Sequence, residues 1–350
     1  MPLYIKFPEW IKPEILPGLP FRWYGLMYIA AFATAYVFYR RQVKERRYPL
    51  TDDQLSSLFS WGILGLILGA RIFSTLIYET SSLYRHQPWL VFWPFRNGQF
   101  VGLQGMSYHG GVIGCITGFL TWSLVKKHDV RNIADMMACS IPIGYTFGRI
   151  GNFINAELYG RATASPIGML FPNAEKLPVK LPLVAEIAEK TGIPLPAGDA
   201  LTAMVNLPRH PSQLYEAFFE GIFLWAVIWA VRKKNPFKGF GFGLYIAGYG
   251  IIRFVIEYFR QPDSDMGYPL QFVPNNEPLA LSHPLTSLST GQLLCLVMVL
   301  AGVGIWIASA CSPNSAFSYG MNGSGVRDEG QTSPESRHST RPRQKKRRHR

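Results

Sequence analysis

The sequence carries ionisable side chains beside long apolar runs, where a charge is costly and therefore informative. A charge at the centre of a membrane span costs about 2.5 to 3.5 kcal/mol on insertion scales, so charges retained there point to function. The main candidates are His109, Arg149, Glu157, Arg253 and Glu257. Arginine suits a phosphate, because its planar guanidinium donates two parallel hydrogen bonds and stays charged. Together these residues could bind an anionic headgroup and offer an imidazole base.

Helical spacing brings some candidates onto one face. Tyr249, Arg253 and Glu257 are separated by four residues each, so they share a helix face. Structural alternatives remain open for every candidate. A lone arginine near a span end can extend to the headgroups, and His109 can be a polar helix end. Glu216 and Glu220, or Arg253 and Glu257, can form interhelical pairs.

Seven apolar segments are long enough to span a membrane, and they must position these residues. We predict spans at residues 21–39, 56–78, 107–125, 133–154, 213–231, 240–259 and 291–310. Helices are expected because lipid offers the backbone no hydrogen-bond partner, and the segments lack the alternation of barrel strands. The predicted fold class is an all-α integral membrane protein, with a polytopic catalytic domain over residues 1–310.

Basic residues are concentrated in alternate connections. Those after the first, third and fifth spans contain Arg40, Arg41, Lys44, Arg46, Arg47, Lys126, Lys127, Arg131, Arg232, Lys233, Lys234 and Lys238. The connections at 79–106 and 260–290 contain only Arg85, Arg96 and Arg260. The positive-inside rule therefore predicts an external N-terminus and a cytoplasmic C-terminus. The candidates then lie toward the outer leaflet, below an irregular extracytoplasmic cap at 155–212 with one short helix near 183–190.

The C-terminal segment, residues 311–350, differs from the rest in composition. It is rich in Ser, Gly, Lys and Arg, so we predict a disordered basic tail. Nine of the 35 Lys and Arg lie there, which accounts for much of the net charge of +13. The ending QKKRRHR could bind RNA, but beside a membrane it better matches anionic lipid, and no nucleic acid is expected.

Cysteine usage indicates neither a metal site nor a thiol nucleophile. The four cysteines, Cys115, Cys139, Cys295 and Cys311, show no CxxC pairing or metal-ligand spacing. Ala308 to Cys311 imitates a lipobox, but it lies at the wrong end of the chain for a signal peptide. We expect no metal and no cofactor. The N-terminus lacks a basic region and a cleavage site, so we expect the first span to be retained.

The motif GRIGNFINAELYG, residues 148–160, resembles the signature of the prolipoprotein diacylglyceryl transferase family. The resemblance covers essentially residues 20–310. It continues in order through RWYGLMY at 22–28, GMSYHGG at 105–111, RHPSQLYEAFFEG at 209–221, GYGIIRFVIEYFRQPD at 248–263 and GQ at 291–292. Residues 161–208 are only loosely similar, apart from MLFP at 169–172.

This resemblance implies transfer of a diacylglyceryl group from phosphatidylglycerol to the lipobox cysteine of a prolipoprotein in the bacterial inner membrane. A thioether forms and glycerol 1-phosphate is released, as the first step of lipoprotein maturation. The implied partners are phosphatidylglycerol, a preprolipoprotein signal peptide with its lipobox cysteine, and membrane lipids. The nucleophile arrives with the substrate, which fits a sequence without a serine elbow or a metal cluster.

The resemblance also implies residue roles. A free thiol has a pKa near 8.5 and benefits from a base, for which His109 is the candidate. Arg149 and Arg253 are expected to stabilise the charge on the departing phosphate. The expected substrate-binding residues are Arg149, Asn152, Glu157, Gly160, Tyr24, Tyr249, Glu257, Gly110 and Gly111. Spaced glycines such as Gly110, Gly111, Gly114 and Gly118 also suit close helix packing.

A transporter and a structural or chaperone protein are the alternatives from other function classes. A transporter would be expected to show an inverted repeat and charges near the membrane midplane. The sequence has an odd number of predicted spans, no evident repeat, and charges toward one surface. Composition alone leaves a structural or chaperone role open. The length of the signature motif favours the transferase.

Overall fold

The computed structural model describes residues 3–16, 22–79, 83–96, 98–100, 105–196, 202–262, 267–273, 277–281, 285, 287–312 and 315–317. The helices are α1 (Trp23–Arg46), α2 (Asp52–Phe73), α3 (Leu83–His86), α4 (Tyr108–Val125), α5 (Val130–Ala138), α6 (Ile141–Ile154), α7 (Pro182–Thr191), α8 (Ser212–Glu216), α9 (Leu224–Val231), α10 (Phe240–Ile256) and α11 (Thr290–Ala310). The strands are β1 (Ile5–Lys6), β2 (Phe95–Arg96), β3 (Gln99–Phe100), β4 (Met169–Leu170), β5 (Leu177–Pro178), β6 (Met204–Val205), β7 (Leu270–Gln271) and β8 (Ser287–Leu288).

Three helical segments among these residues are long and apolar enough to cross a membrane. They are Asp52–Tyr78, Ser212–Val231 and Thr290–Ala310, and Phe240–Ile256 is a shorter apolar helix. They coincide with the second, fifth, seventh and sixth predicted spans. The chain is therefore a mostly helical membrane protein, as expected from the sequence. The total of seven spans stays a prediction.

The prediction of one continuous helix at residues 133–154 is wrong. α5 ends at Ala138, and α6 begins at Ile141. Pro142 explains the break, because its ring lacks an N–H and would clash with the carbonyl four residues earlier in a continuous helix. The Ser140 hydroxyl donates to the Met136 carbonyl at 2.8 Å and closes the end of α5. α6 is thus a separate helix, and it carries most of the signature motif.

Glycines allow α2 and α4 to pack with their backbones in contact. A Cβ atom at Gly65 would lie 2.2 Å from the Gly114 carbonyl oxygen, and one at Gly114 would lie 2.0 Å from the Gly65 oxygen. A Cβ atom at Gly69 would similarly lie 2.2 Å from the oxygen of Gly110. The close-packing interpretation of Gly110 and Gly114 is confirmed. The Ser107 hydroxyl accepts a hydrogen bond from the Gly110 N–H at 3.1 Å and caps the start of α4 at Tyr108.

The cap at 155–212 is folded around a small apolar core. α7 confirms the short helix predicted near 183–190. The core residues are Leu177, Val184, Ile187, Ala188, Val205, Leu207, Ala280 and Leu281. The last two come from the segment between α10 and α11, and β1 pairs in parallel with β4. Three separate parts of the chain therefore hold the cap over the ends of the helices.

Two helical segments contain π turns, Ser74–Tyr78 after α2 and Ala217–Phe223 between α8 and α9. Such widened turns often occur at functional sites. At the second one, a Cβ atom at Gly221 would lie 2.0 Å from the Thr146 hydroxyl oxygen. The Thr146 hydroxyl donates to the Ala217 carbonyl at 3.1 Å. The π turn is thus packed directly against α6.

Part of the predicted basic tail is described. The backbone N–H of Lys238 donates to the Ser315 carbonyl at 2.9 Å, and Ala316 forms an isolated β-bridge with Phe237. The Arg46 guanidinium lies 5.1 Å from the centre of the Phe317 ring. These contacts hold residues 315–317 beside α10 and α1, and disorder of the tail as a whole stays a prediction. From residue 318 onward the tail lies outside the described residues.

Candidate functional site

The two arginines predicted from the sequence contact one buried carboxylate. Arg149 Nε lies 2.9 Å from Glu216 Oε2, and Arg253 Nη1 lies 3.0 Å from the same oxygen. Glu216 is fully buried on α8, while the arginines belong to α6 and α10. A buried charge needs a partner, so each of these groups requires the others. Three helices separated in sequence therefore converge on one cluster.

Two further carboxylates orient Arg253. Glu220 Oε1 lies 3.4 Å from Arg253 Nη1, and Glu257 Oε2 lies 3.4 Å from Arg253 Nη2. The helical spacing of Arg253 and Glu257 predicted this second contact. Glu220 comes from the π turn between α8 and α9. The guanidinium of Arg253 is consequently held from three directions.

Arg260 adds a third guanidinium to the cluster. Its Nε lies 3.5 Å from Glu216 Oε1, and its Nη1 lies 3.7 Å from Glu257 Oε2. The Ser289 hydroxyl, before α11, donates to Glu257 Oε1 at 3.2 Å. From the sequence alone, Arg260 contributes only to the predicted orientation. Its spacing of three residues from Glu257 was the available signal for a role in this cluster.

Tyr145 connects the arginines through its hydroxyl, and the sequence analysis missed it. The hydroxyl accepts a hydrogen bond from Arg149 Nε at 2.6 Å and donates to Glu220 Oε2 at 2.5 Å. Its ring meets Tyr249 edge-on, with centroids 6.0 Å apart. Tyr145 lies one helical turn before Arg149, and that spacing could have identified it. Tyr249 accordingly borders the cluster, as expected.

Asn152 and Glu157 form a second group at the end of α6. Asn152 Nδ2 donates to Glu157 Oε1 at 2.9 Å, and Asn155 Nδ2 donates to the same oxygen at 3.2 Å. The neighbours of Glu157 have positive φ angles, 52° at Ala156 and 55° at Leu158. Such strained residues cost of order 1 to 3 kcal/mol each and concentrate at functional sites. Glu157 therefore sits in a strained turn, and the described hydrogen bonds of its carboxylate are with asparagines rather than arginines.

Gly160 lies where the cap meets the end of α10. Its N–H donates to the His210 carbonyl at 2.8 Å. A Cβ atom at Gly160 would lie 2.2 Å from the Phe259 carbonyl oxygen and 2.9 Å from His210 Cβ. Any side chain would separate the two segments. Gly160 thus supports the site, and its contact with substrate stays a prediction.

His109 belongs to the α2–α4 pair. Its side chain is exposed, and Nδ1 lies 2.9 Å from the Tyr78 hydroxyl in the first π turn. The described contacts of His109 are with Tyr78 and Tyr108, and they include neither arginine.

Tyr24 and the two glycines next to His109 occupy packing positions. Tyr24 lies at the start of α1, and a Cβ atom at Gly151 would lie 3.0 Å from its ring. Its hydroxyl is 3.3 Å from that of Tyr28. Gly110 and Gly111 are buried against α2. Their predicted contact with substrate stays a prediction, whereas Tyr24 is placed beside the signature helix.

His210 joins the cap to α8 as a neutral side chain. Burial and the nearby positive charge of Arg161 lower the pKa of His210 to about 4. Its Nδ1 lies 3.2 Å from the Tyr215 hydroxyl, and its ring meets Phe259 edge-on. His210 is therefore uncharged at neutral pH. Among the described residues, no group of three or more His, Cys, Asp or Glu is arranged to hold a metal ion.

Comparison with known proteins points in the same direction. Residues 13–308 match the prolipoprotein diacylglyceryl transferase family. The chain is 50% identical over 316 residues to the phosphatidylglycerol–prolipoprotein diacylglyceryl transferase of Treponema pallidum, covering 86% of this chain and 94% of the relative. It is 51% identical over 320 residues to that of Treponema denticola, covering 87% and 94%. Identity to that of Chlorobaculum tepidum is 38% over 308 residues, covering 86% and 91%.

Proposed function

Since this chain belongs to the prolipoprotein diacylglyceryl transferase family, we propose that it transfers the diacylglyceryl group of phosphatidylglycerol to the lipobox cysteine of a prolipoprotein. The observation that carries the proposal is the convergence of Arg149 and Arg253 on one buried cluster. A headgroup with one phosphate is matched by two guanidinium groups at a single place. The relatives carry the names of both substrates.

The reaction proposed here breaks the bond between the glyceryl carbon and a phosphate oxygen. The cysteine sulfur bonds to that carbon, and the electron pair leaves with the phosphate as glycerol 1-phosphate. Negative charge grows on the phosphate as the bond breaks. Arg149 and Arg253 stabilise that charge, and their burial strengthens the interaction because little water screens it.

The carboxylates position the arginines before the lipid binds. Glu216, Glu220 and Glu257 hold the guanidinium groups in fixed positions, so little reorganisation is needed when charge develops. The Tyr145 hydroxyl adds a short link between Arg149 and Glu220. Asn152 and Glu157, at the strained turn, are proposed to bind the glycerol hydroxyls of the headgroup.

His109 is proposed as the base that takes the proton from the thiol. The Tyr78 hydroxyl engages Nδ1, which leaves Nε2 for the substrate. The side chain is exposed, so a peptide thiol can reach it. This assignment is independent of the arginine cluster, because the two groups lie on different helix pairs. It can fail while the phosphate assignment stands.

The proposed location is the bacterial inner membrane, with the N-terminus outside and the C-terminus in the cytoplasm. The cluster lies at the ends of α6, α8 and α10 below the cap, so it would face the outside, where a prolipoprotein cysteine emerges. Exposed basic residues lie at the opposite helix ends, including Lys44, Lys126 and Lys233. Seven spans would comprise α1, α2, α4, the broken pair α5–α6, the segment α8–α9, α10 and α11.

The test is an activity assay with the purified protein in phosphatidylglycerol vesicles and a lipobox peptide. The expected products are a peptide carrying diacylglyceryl on its cysteine and an equal amount of glycerol 1-phosphate, both measured by mass spectrometry. Vesicles of phosphatidylethanolamine and a peptide with the cysteine replaced by serine are the controls. A folded protein that forms neither product from phosphatidylglycerol refutes the proposal.

A further inference from the structure

The strained turn around Glu157 needs outside support. The two non-glycine residues that flank Glu157, Ala156 and Leu158, both have positive φ angles. Strain of this kind persists only where the surroundings over-determine the backbone. The carbonyl groups of an irregular turn also need hydrogen-bond donors when they are screened from water.

Gln213 and Ser212, at the start of α8, supply this support. Gln213 Nε2 donates to the Glu157 carbonyl at 2.6 Å, and the Ser212 hydroxyl donates to the Leu158 carbonyl at 3.2 Å. Gln213 is fully buried. A carbonyl can only accept, so the amide nitrogen of Gln213 must face the turn. The turn is therefore pinned to α8 at two successive carbonyls.

The same helix holds the arginine cluster. Gln213 precedes Glu216 by three residues, so the two side chains project from adjacent positions on one helical turn. Glu216 contacts Arg149 and Arg253. α8 thus joins the turn that carries Glu157 to the site proposed for the phosphate.

We propose that Gln213 is a positioning residue, whose amide fixes the strained turn and Glu157 at a set distance from the arginine cluster. The inference rests on the proposed function, in which the two groups bind different parts of one headgroup. Without the amide donor the turn can move, so the residues that bind the glycerol of the headgroup are no longer held at a fixed distance from the arginines that bind its phosphate. The consequence is a loss of turnover while the protein remains folded.

Asn206 provides a matched control. Its Nδ2 donates to the Phe171 carbonyl at 2.8 Å, also within the cap. Within the described residues, the side-chain oxygens of Gln213 and Asn206 both lack a hydrogen-bond partner. The two amides make the same kind of bond, but only Gln213 contacts the turn beside the cluster.

The first measurement is amide hydrogen exchange of the full chain in lipid nanodiscs. Gln213→Glu keeps the shape of the side chain and replaces the donor with an acceptor. We expect faster exchange confined to residues 155–160, whereas Asn206→Asp leaves that segment unchanged. Unchanged exchange at 155–160 in Gln213→Glu overturns the inference, whether or not the proposed function is correct. Faster exchange throughout the cap does so too, because it shows a general structural role.

The second measurement is the pH profile of turnover. At about pH 8 we expect the kcat of Gln213→Glu to be about tenfold to hundredfold below that of the wild type, because the Glu157 carbonyl loses its hydrogen-bond donor. As the pH is lowered, the substituted carboxyl is protonated and its O–H can donate, so the ratio of variant to wild-type kcat should rise. Ser212→Ala, a milder change, should show a smaller fall without this pH dependence. If the wild type is active and Gln213→Glu has the same kcat, the inference is refuted and the proposed function stands.

Discussion

Replacing Arg149 by lysine separates the shape of the guanidinium from its charge. Arg149 Nε makes two short contacts, 2.9 Å to Glu216 and 2.6 Å to Tyr145. Hydrogen bonds to charged groups contribute about 1.5 to 3 kcal/mol each, and a lysine ammonium can restore one of them. One of the two bonds is then lost, so the expected net loss in the transition state is about 1.5 to 3 kcal/mol. That corresponds to a fall in kcat of about tenfold to 150-fold.

The assay is initial-rate formation of glycerol 1-phosphate in phosphatidylglycerol vesicles, with folded protein quantified by size-exclusion chromatography. Arg209→Lys is the matched control, because Arg209 is fully buried in the cap and donates to Gln261 Oε1 at 2.8 Å and to the Glu175 carbonyl at 2.7 Å. Arg209→Lys should lower Tm, while its kcat per folded molecule stays near the wild-type value. An equal loss of kcat in both variants, or none in Arg149→Lys, would refute the reasoning.

Three further predictions concern packing, the hydroxyl link and acid stability. Gly114→Ala should lower Tm strongly, because overpacking costs about 1 to 3 kcal/mol or more. Gly304→Ala should leave Tm unchanged, because its Cβ would meet nothing within 4 Å. Equal Tm values for the two variants would contradict this prediction. Tyr145→Phe should lower kcat about tenfold by cutting its bonds to the cluster, and Tyr36→Phe should not; matching rates would count against the link. Folding lowers the pKa of His210 from its ordinary value to about 4. Between about pH 6.5 and about pH 4, the unfolded chain therefore binds a proton at His210 and the folded chain does not. The free energy of unfolding should fall by about 3 kcal/mol as the pH decreases through that range. His210→Gln should therefore show a shallower fall in Tm over the same pH range, and parallel curves would contradict the assignment.

The sequence predicts the cluster better than it predicts the path of the chain. The order of the predicted spans and the basic loops predict that Arg149 and Arg253 lie at the same end of the helices, and in the structure both contact Glu216. The contact of Arg253 with Glu257 follows from helical periodicity alone. These features depend on local spacing or on topology, which a single sequence records.

Other features depend on packing between distant segments. The pairing of Tyr78 with His109 requires the glycine-mediated approach of α2 and α4. The parallel pairing of β1 with β4 involves strands of two residues, too short to leave a periodic pattern. The break before α6 is different, because Pro142 was a visible signal that the continuous apolar run obscured. The positive φ angles at Ala156 and Leu158 could not be predicted from residue type, because neither residue is a glycine.

The central claim is that Arg149 and Arg253 hold the phosphate of phosphatidylglycerol together. A structure of the protein in nanodiscs containing phosphatidylglycerol tests it most directly. The account predicts phosphate oxygens within about 3.5 Å of guanidinium nitrogens from both arginines. A headgroup bound in contact with neither, for example among the basic residues at the opposite helix ends, would contradict it.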